Sequence, residues 1–96
     1  MLFDNINKGI EEYKITDGAV LVDVRETDEF ESGHIPGAVN LPLSKIQSIS
    51  FDKNVPLFLY CLRGSRSMRA ASILQKMGYL HVKSIGGINR YKGEVE

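Results

Sequence analysis

Short apolar runs recur along this chain and are separated by polar turns. Runs of this kind predict strands that are buried on both faces, as in a parallel sheet covered by helices. In chain order the predicted strands are Ala19–Val24, Ala38–Leu41, Leu57–Tyr60 and Val82–Ile85, and only the first and third of these runs are predicted to be buried on both faces. The third run stops at Cys61, and the glycine pair at 86–87 is expected to break the fourth.

Apolar residues at helical spacing predict the remaining elements. The clearest helix follows the third run, beginning at Ser67 and ending at Gly78. An N-terminal helix, capped by Asp4 or Asn5, is predicted from three apolar residues on one face, Ile6, Ile10 and Tyr13. Three shorter helices are predicted, one capped by Thr27 and running to Glu31, one capped by Ser44 and carrying Ile46 and Ile49, and one with Ile88 and Tyr91.

Strands that alternate with helices predict parallel pairing through right-handed crossovers. The expected fold class is therefore α/β, with a small central parallel sheet, helices on both of its faces, and residues 1–96 in one domain. Ligands of such sheets bind beyond the carboxyl ends of the strands. Cys61 follows one of these ends, and Asp23 and Arg25 lie at another.

Cys61 is the only cysteine, and it is predicted to sit where a strand gives way to a helix. A loop that curls around such a residue turns backbone N–H groups inward and forms an anion site. Arg63, Arg66 and Arg69 add positive charge nearby. Helix N-termini and cations favour the thiolate, so we expect an activated sulfur nucleophile. A lone cysteine is more often a small buried apolar residue, but the pattern CLRGSRS from Cys61 favours chemistry.

Composition narrows the possible partners. The formal net charge of the 96 residues is zero, so nothing favours nucleic acid or a membrane surface as a partner. The N-terminus lacks a basic start followed by an apolar stretch, so we expect a cytoplasmic protein. One cysteine and two separated histidines, His34 and His81, support neither a disulfide framework nor a metal site, and no cofactor is expected.

Three ordered motifs resemble those of single-domain rhodaneses, the sulfurtransferase family. The first motif comprises DVRE at 23–26, Glu29, Phe30 and GHIPGA at 33–38, with Asn40 and Pro42. The second is the loop 61–67, followed by Ala71, Leu74, Gly78 and Tyr79, and the third is Val82 with residues 85–88. The resemblance covers nearly the whole chain and implies a rhodanese-like α/β fold.

The resemblance implies that Cys61 takes a sulfane sulfur from a small anionic donor, such as thiosulfate or a persulfide. The resulting persulfide passes its outer sulfur to a thiol, cyanide or a protein acceptor. Substrate binding is expected from the loop residues Leu62, Arg63, Gly64, Ser65, Arg66 and Ser67. Their N–H groups would hold the anionic persulfide, and either Arg63 or Arg66 would bind the donor's oxygens.

Four further residues are expected to support the site rather than to react. Asp23, Arg25 and Glu29 are interpreted as a charge network that braces the surrounding loops. His34 is expected to hold its turn by hydrogen bonding. Tyr91 stands near the position where the family often has tryptophan, and a tyrosine fills much of the same apolar space.

Two other functions remain open from the sequence. Related phosphatases and arsenate reductases have five residues between the cysteine and the arginine of the loop, whereas this chain has four between Cys61 and Arg66. A regulatory binding module could use the same fold without catalysis, but such modules commonly lack the cysteine. Both alternatives are therefore less favoured than sulfur transfer.

Overall fold

The computed structural model describes residues 5–96, in which helices and strands alternate. Asp4, one of the two predicted helix caps, lies outside the described residues. The helices are α1 (Ile6–Lys14), α2 (Thr27–Ser32) and α3 (Ser65–Lys76), and the strands are β1 (Val20–Asp23), β2 (Val39–Asn40), β3 (Leu57–Cys61) and β4 (Val82–Gly87). Two 3₁₀ helices complete the set, the first at Leu43–Ser48 and the second at Ile88–Arg90.

All four strands are parallel and stand in the order β2-β1-β3-β4, which confirms the predicted α/β fold. The central pair places Val20 opposite Leu57 and Asp23 opposite Tyr60. Because β1 and β3 are the two inner strands, their carboxyl ends lie side by side. The polar residues after β1 are thereby brought beside the loop that follows β3.

Side chains of β3 alternate between two apolar layers, one on each face of the sheet. Leu57, Leu59 and Cys61 belong to the layer covered by α3 and the first 3₁₀ helix. Phe58 and Tyr60 belong to the layer covered by α1. Every residue of β3 is buried, so the apolar run predicts both the strand and its central position.

The glycine pair at 86–87 does not break β4, which runs through both residues, so this prediction was wrong. Gly87 lies opposite Cys61, beyond an irregularity in the pairing of β3 with β4. A Cβ atom at Gly87 would collide with the carbonyl oxygen of Leu62 and, at 2.6 Å, with Cα of Arg63. The glycine therefore allows β4 to continue against the loop, and sequence cues for strand breaking cannot detect such a contact.

Several helix boundaries also differ from the predictions. α3 begins at Ser65 rather than Ser67, because Gly64 already completes the turn. Thr27 is the first residue of α2 rather than its cap, since Glu26 occupies the cap position. The helix predicted to start at Ser44 is the first 3₁₀ helix and begins at Leu43, after Pro42. The final predicted helix is reduced to the three residues of the second 3₁₀ helix.

Candidate active site

The sulfur of Cys61 lies inside the turn between β3 and α3. The backbone N–H of Gly64 donates to Sγ at 2.9 Å, and that of Ser67 donates to it at 3.4 Å. The hydroxyl oxygen of Ser67 lies 3.7 Å from the same sulfur. The two amides thus converge on one sulfur atom, an arrangement that stabilises negative charge there.

Gly64 makes this turn possible. Its φ angle is +110°, in the left-handed region that residues with a side chain rarely adopt. The chain therefore reverses direction within three residues of Cys61, and α3 begins directly afterwards. Of the six predicted loop residues, only Gly64 and Ser67 donate hydrogen bonds to Sγ within the described chain.

The thiol is buried beneath this turn. Cys61 is 1% exposed and shares an apolar cluster with residues of β3 and α3, including Leu59 and Ala70. The amides of Gly64 and Ser67 donate to its sulfur, so the loop encloses the buried thiol. A ligand can reach the sulfur only if neighbouring side chains shift locally.

The hydroxyl groups of Ser67 and Ser84 connect the site to β4. Ser67 donates its hydroxyl proton to the carbonyl of Gly64 at 3.0 Å, and its Oγ lies 2.7 Å from Oγ of Ser84. Because a serine hydroxyl carries one proton, Ser84 must then be the donor to Ser67. Ser84 belongs to no motif recognised in the sequence, and only the register of β4 brings it to this position.

Arg66 forms a bidentate ion pair with Glu29. Its Nη1 and Nη2 atoms donate to the two carboxylate oxygens at 2.7 and 3.0 Å. The hydrogen bond from Arg66 is the main cause that lowers the pKa of Glu29 to about 2, and its counterpart from Glu29 raises the pKa of Arg66. Glu29 also accepts the N–H of Glu26 at 3.0 Å, so one carboxylate joins the start of α2 to the start of α3.

Asp23 and Arg25 form a second, buried pair that does not include Glu29. Nε of Arg25 lies 3.0 and 3.1 Å from the two oxygens of Asp23, and Nη2 lies 2.7 Å from one of them. Burial tends to lower the pKa of Arg25, but hydrogen bonding to Asp23 and its charge outweigh burial and raise it. Nη2 also donates to the carbonyl of Gly33 at 2.7 Å. The expected network is thus divided into two pairs, with Glu29 joined to Arg66.

His34 is held in its turn by several contacts. Nδ1 donates to the carbonyl of Phe30 at 2.9 Å, and the two rings stack with centroids 3.8 Å apart. Its backbone exchanges hydrogen bonds with Glu96 at 3.0 and 2.8 Å. No hydrogen bond joins His34 to Cys61 in the described chain, and its contacts fit a supporting role.

Arg63 and Ser65 are exposed and line a cleft of about 620 Å³ between the start of α3 and the end of β4. Leu62 belongs to the loop between β3 and α3, and its carbonyl accepts the N–H of Asn89 at 3.2 Å. The other lining residues of this cleft are Gly64, Met68, Ser84, Gly86, Gly87 and Arg90. Sequence reasoning missed Arg90, which lies outside the three motifs.

Residues 5–96 contain neither a metal-binding cluster nor a membrane-spanning helix. No group of three or more His, Cys, Asp or Glu side chains there is arranged to hold a metal ion. In the same part of the chain, no helix has the length and apolar character that crossing a membrane requires.

A family model described as a rhodanese-like domain matches residues 4–94. The chain belongs to this family. Its rhodanese-like domain carries Cys61 as the last residue of β3, with the amides of Gly64 and Ser67 directed at the sulfur. Tyr91 is partly buried against the apolar layer on the α1 side of the sheet.

Individual relatives of this rhodanese-like domain agree with the family match. The uncharacterized protein YqhL of Bacillus subtilis (strain 168) is 43% identical over 83 residues, covering 81% of this chain and 64% of YqhL. Thiosulfate sulfurtransferase PspE of Escherichia coli (strain K12) is 37% identical over 71 residues, covering 70% of this chain and 68% of PspE. The chain therefore spans about two thirds of the length of these curated relatives.

A solved structure supports the same assignment. The structure described as a rhodanese with anions from E. coli is 31% identical and superposes with a TM-score of 0.72. The match covers 81% of this chain and 96% of that chain. The fold of the rhodanese-like domain is thus shared along nearly the entire length of that solved chain.

Proposed function

We propose that this rhodanese-like domain is a sulfurtransferase that moves a sulfane sulfur through a persulfide on Cys61. The donor is thiosulfate or a persulfide, and the acceptor is a thiol, cyanide or a protein. The observation that carries the proposal is the convergence of two N–H groups on Sγ of Cys61. The similarity to PspE, which is named a thiosulfate sulfurtransferase, supports the same reaction.

With thiosulfate, the reaction consists of two displacements at sulfur. The Cys61 thiolate first attacks the outer sulfur of thiosulfate, a new S–S bond forms, and the sulfur–sulfur bond of thiosulfate breaks. Its electron pair leaves with sulfite. The acceptor then attacks the outer sulfur of the persulfide, and the Cys61 thiolate leaves with the electron pair. The atoms and electrons balance without an external oxidant or reductant.

The surroundings of the sulfur suit a leaving group that needs no proton. Sulfite is weakly basic, so its departure requires little general acid catalysis. No carboxylate or imidazole in the described residues hydrogen-bonds to Sγ of Cys61, and the two nearby acids are already paired, Asp23 with Arg25 and Glu29 with Arg66. The contribution of the loop is therefore electrostatic stabilisation of a sulfur anion.

The two candidate arginines differ in their availability to a donor. Arg66 already places two N–H groups on Glu29, whereas Arg63 is exposed and has no ion pair within residues 5–96. A guanidinium without a carboxylate partner can take the sulfonate oxygens of thiosulfate in a bidentate manner. We therefore assign donor binding chiefly to Arg63, while Arg66 positions the loop.

Thiocyanate formation from thiosulfate and cyanide tests the proposal. Cys61→Ser should abolish turnover, and Arg63→Gln should raise KM for thiosulfate by roughly three- to tenfold, as expected for the loss of a charged hydrogen bond. Arg69→Gln removes the same charge from an exposed position of α3 that does not line the cleft and serves as the control. Full turnover by Cys61→Ser, or hydrolysis of an aryl phosphate without sulfur transfer, would contradict the proposal.

A further inference from the structure

The hydroxyl group of Ser67 lies among three polar neighbours and has one proton to give. Its oxygen is 3.0 Å from the carbonyl oxygen of Gly64, 2.7 Å from Oγ of Ser84 and 3.7 Å from Sγ of Cys61. Because Ser67 donates its proton to Gly64, its oxygen can only accept from the other two groups. The hydrogen bonds of this oxygen therefore link Ser84 of β4 to the state of the thiol.

Burial makes these hydrogen bonds matter. Ser67 is 0% exposed and Cys61 is 1% exposed, so bulk water does not replace a donor that is lost at this oxygen. A buried acceptor without a donor costs free energy, and folded proteins rarely leave one. In residues 5–96, no buried side-chain nitrogen or oxygen lacks a hydrogen-bond partner.

The thiol and the thiolate of Cys61 differ in what they offer to Ser67. The S–H group can donate to Oγ of Ser67, whereas the thiolate has no proton to donate. If Ser84 were not a donor, ionisation of Cys61 would leave this oxygen without any donor. With Ser84 in place, ionisation leaves the hydrogen bond of 2.7 Å intact, and the amides of Gly64 and Ser67 still point at the sulfur.

Charged groups on the surrounding elements do not supply this hydrogen bond. Arg66 at the start of α3 interacts with the charge of Cys61, but its N–H groups are donated to Glu29. The other charged side chains of the inner strand ends and of β4 are also paired, Asp23 with Arg25 and Lys83 with Glu12. Within the described residues, Ser84 is thus the one side chain besides Cys61 that can donate to Oγ of Ser67.

We propose that Ser84 is a positioning residue for sulfur transfer. Its hydroxyl supplies the hydrogen bond that Ser67 would otherwise take from the Cys61 thiol, and it thereby favours the thiolate. Ser84 acts through Ser67 rather than on the sulfur itself. On ionisation the thiol proton passes to a buffer base, and no other covalent bond changes. This inference rests on the proposed function and adds a residue of β4, outside the loop that follows β3.

Two substitutions of Ser84 isolate its hydroxyl group. Valine and threonine have nearly the same shape, and both suit a strand, so Ser84→Val and Ser84→Thr differ mainly in the donor. The ultraviolet absorbance of the thiolate is followed as a function of pH. Because Cys61 is the only cysteine, Cys61→Ser provides the blank. This titration does not depend on sulfur transfer.

The midpoint of the titration should be about 0.5 pH unit higher in Ser84→Val than in Ser84→Thr, which is about threefold less thiolate below the midpoint. The shift is modest because an S–H group is a weak donor. Ser84→Ala, which adds no bulk, should shift the midpoint of the original protein in the same direction, and it decides the question if a bulkier variant does not fold. Ser72→Ala, at an exposed position of α3, is the control and should keep the original midpoint.

The rate of sulfur loading from thiosulfate gives a second readout. Ser84→Val should load about threefold more slowly than Ser84→Thr below the midpoint and equally fast above it, whereas general damage to the loop would slow loading at every pH. Equal midpoints in Ser84→Val and Ser84→Thr, or an unshifted midpoint in Ser84→Ala, would overturn the role of Ser84. Failure of the original protein to load sulfur at any pH would instead refute the proposed function.

Discussion

The ion pair between Glu29 and Arg66 makes a quantitative prediction about stability. Glu29→Gln removes the charge but keeps an oxygen that can accept the N–H of Glu26, so the start of α2 is preserved. The pKa of Glu29 falls from 4.5 to about 2, and at about 1.36 kcal/mol per unit this corresponds to roughly 3.4 kcal/mol as an upper bound. Both side chains are 30% exposed, so screening reduces the expected loss to about 1–2 kcal/mol at pH 7.

The pH dependence of this loss has a definite sign. The pKa of Glu29 is lower in the folded protein than in the unfolded chain, so its stabilisation is complete above the unfolded value of 4.5. It disappears as the pH falls through 4.5 toward about 2, because the carboxylate becomes protonated in both states. The difference in unfolding free energy between the original protein and Glu29→Gln should therefore be constant near neutrality and shrink toward zero in acid.

Urea unfolding at a series of pH values measures this difference. Far-UV circular dichroism suits the measurement, since the chain contains no tryptophan. Glu12→Gln is the matched control, because Glu12 pairs with Lys83 at 2.8 Å but both side chains are about half exposed, and its loss should stay below about 0.5 kcal/mol. A Glu29→Gln effect that does not change between pH 6 and about pH 2.5, or that equals the control at pH 7, would refute the reasoning.

Three further substitutions test other contacts. Gly64→Ala should lower the unfolding free energy by about 1 kcal/mol because of its positive φ, and it should also slow sulfur loading. Gly18→Ala, at φ +72° and far from the site, is the control and should lower only the stability measured in urea. Ser67→Ala should slow loading from thiosulfate at least threefold, as measured by timed intact mass, because the Ser67 hydroxyl donates to the carbonyl of Gly64 and so holds the loop around Sγ. Asp23→Asn should lower the unfolding free energy by about 3 kcal/mol, because it leaves the buried, charged Arg25 without its carboxylate partner. A loss below about 1 kcal/mol would contradict that account.

The fold was predictable because its two inner strands, β1 and β3, are almost entirely buried. β3 reads as an uninterrupted apolar run, and all five of its residues are buried. Apolar runs alternate with segments whose apolar residues have helical spacing, and a parallel sheet is the simplest arrangement for such a chain. The strand break predicted at 86–87 failed for a reason that no local pattern contains, namely the approach of Gly87 to the backbone of Leu62 and Arg63.

The candidate site was only partly predictable. The spacing between Cys61 and Gly64 indicates a tight turn, and the structure places the amide of Gly64 on the sulfur. The partner of Arg66 was not foreseen, because Glu29 is 37 residues away and pairing between elements depends on side-chain direction. Ser84 and Arg90 likewise reach the site through the register of β4 and the segment after it. Such contacts follow from tertiary structure, and the local sequence carries no sign of them.

Intact mass after incubation with thiosulfate tests the central claim most directly. The reduced protein should gain one sulfur atom, cyanide should remove it, and Cys61→Ser should gain none. Peptide mapping should place the added sulfur on the peptide that contains Cys61. An unmodified mass under these conditions, or sulfur bound equally by Cys61→Ser, would contradict the account.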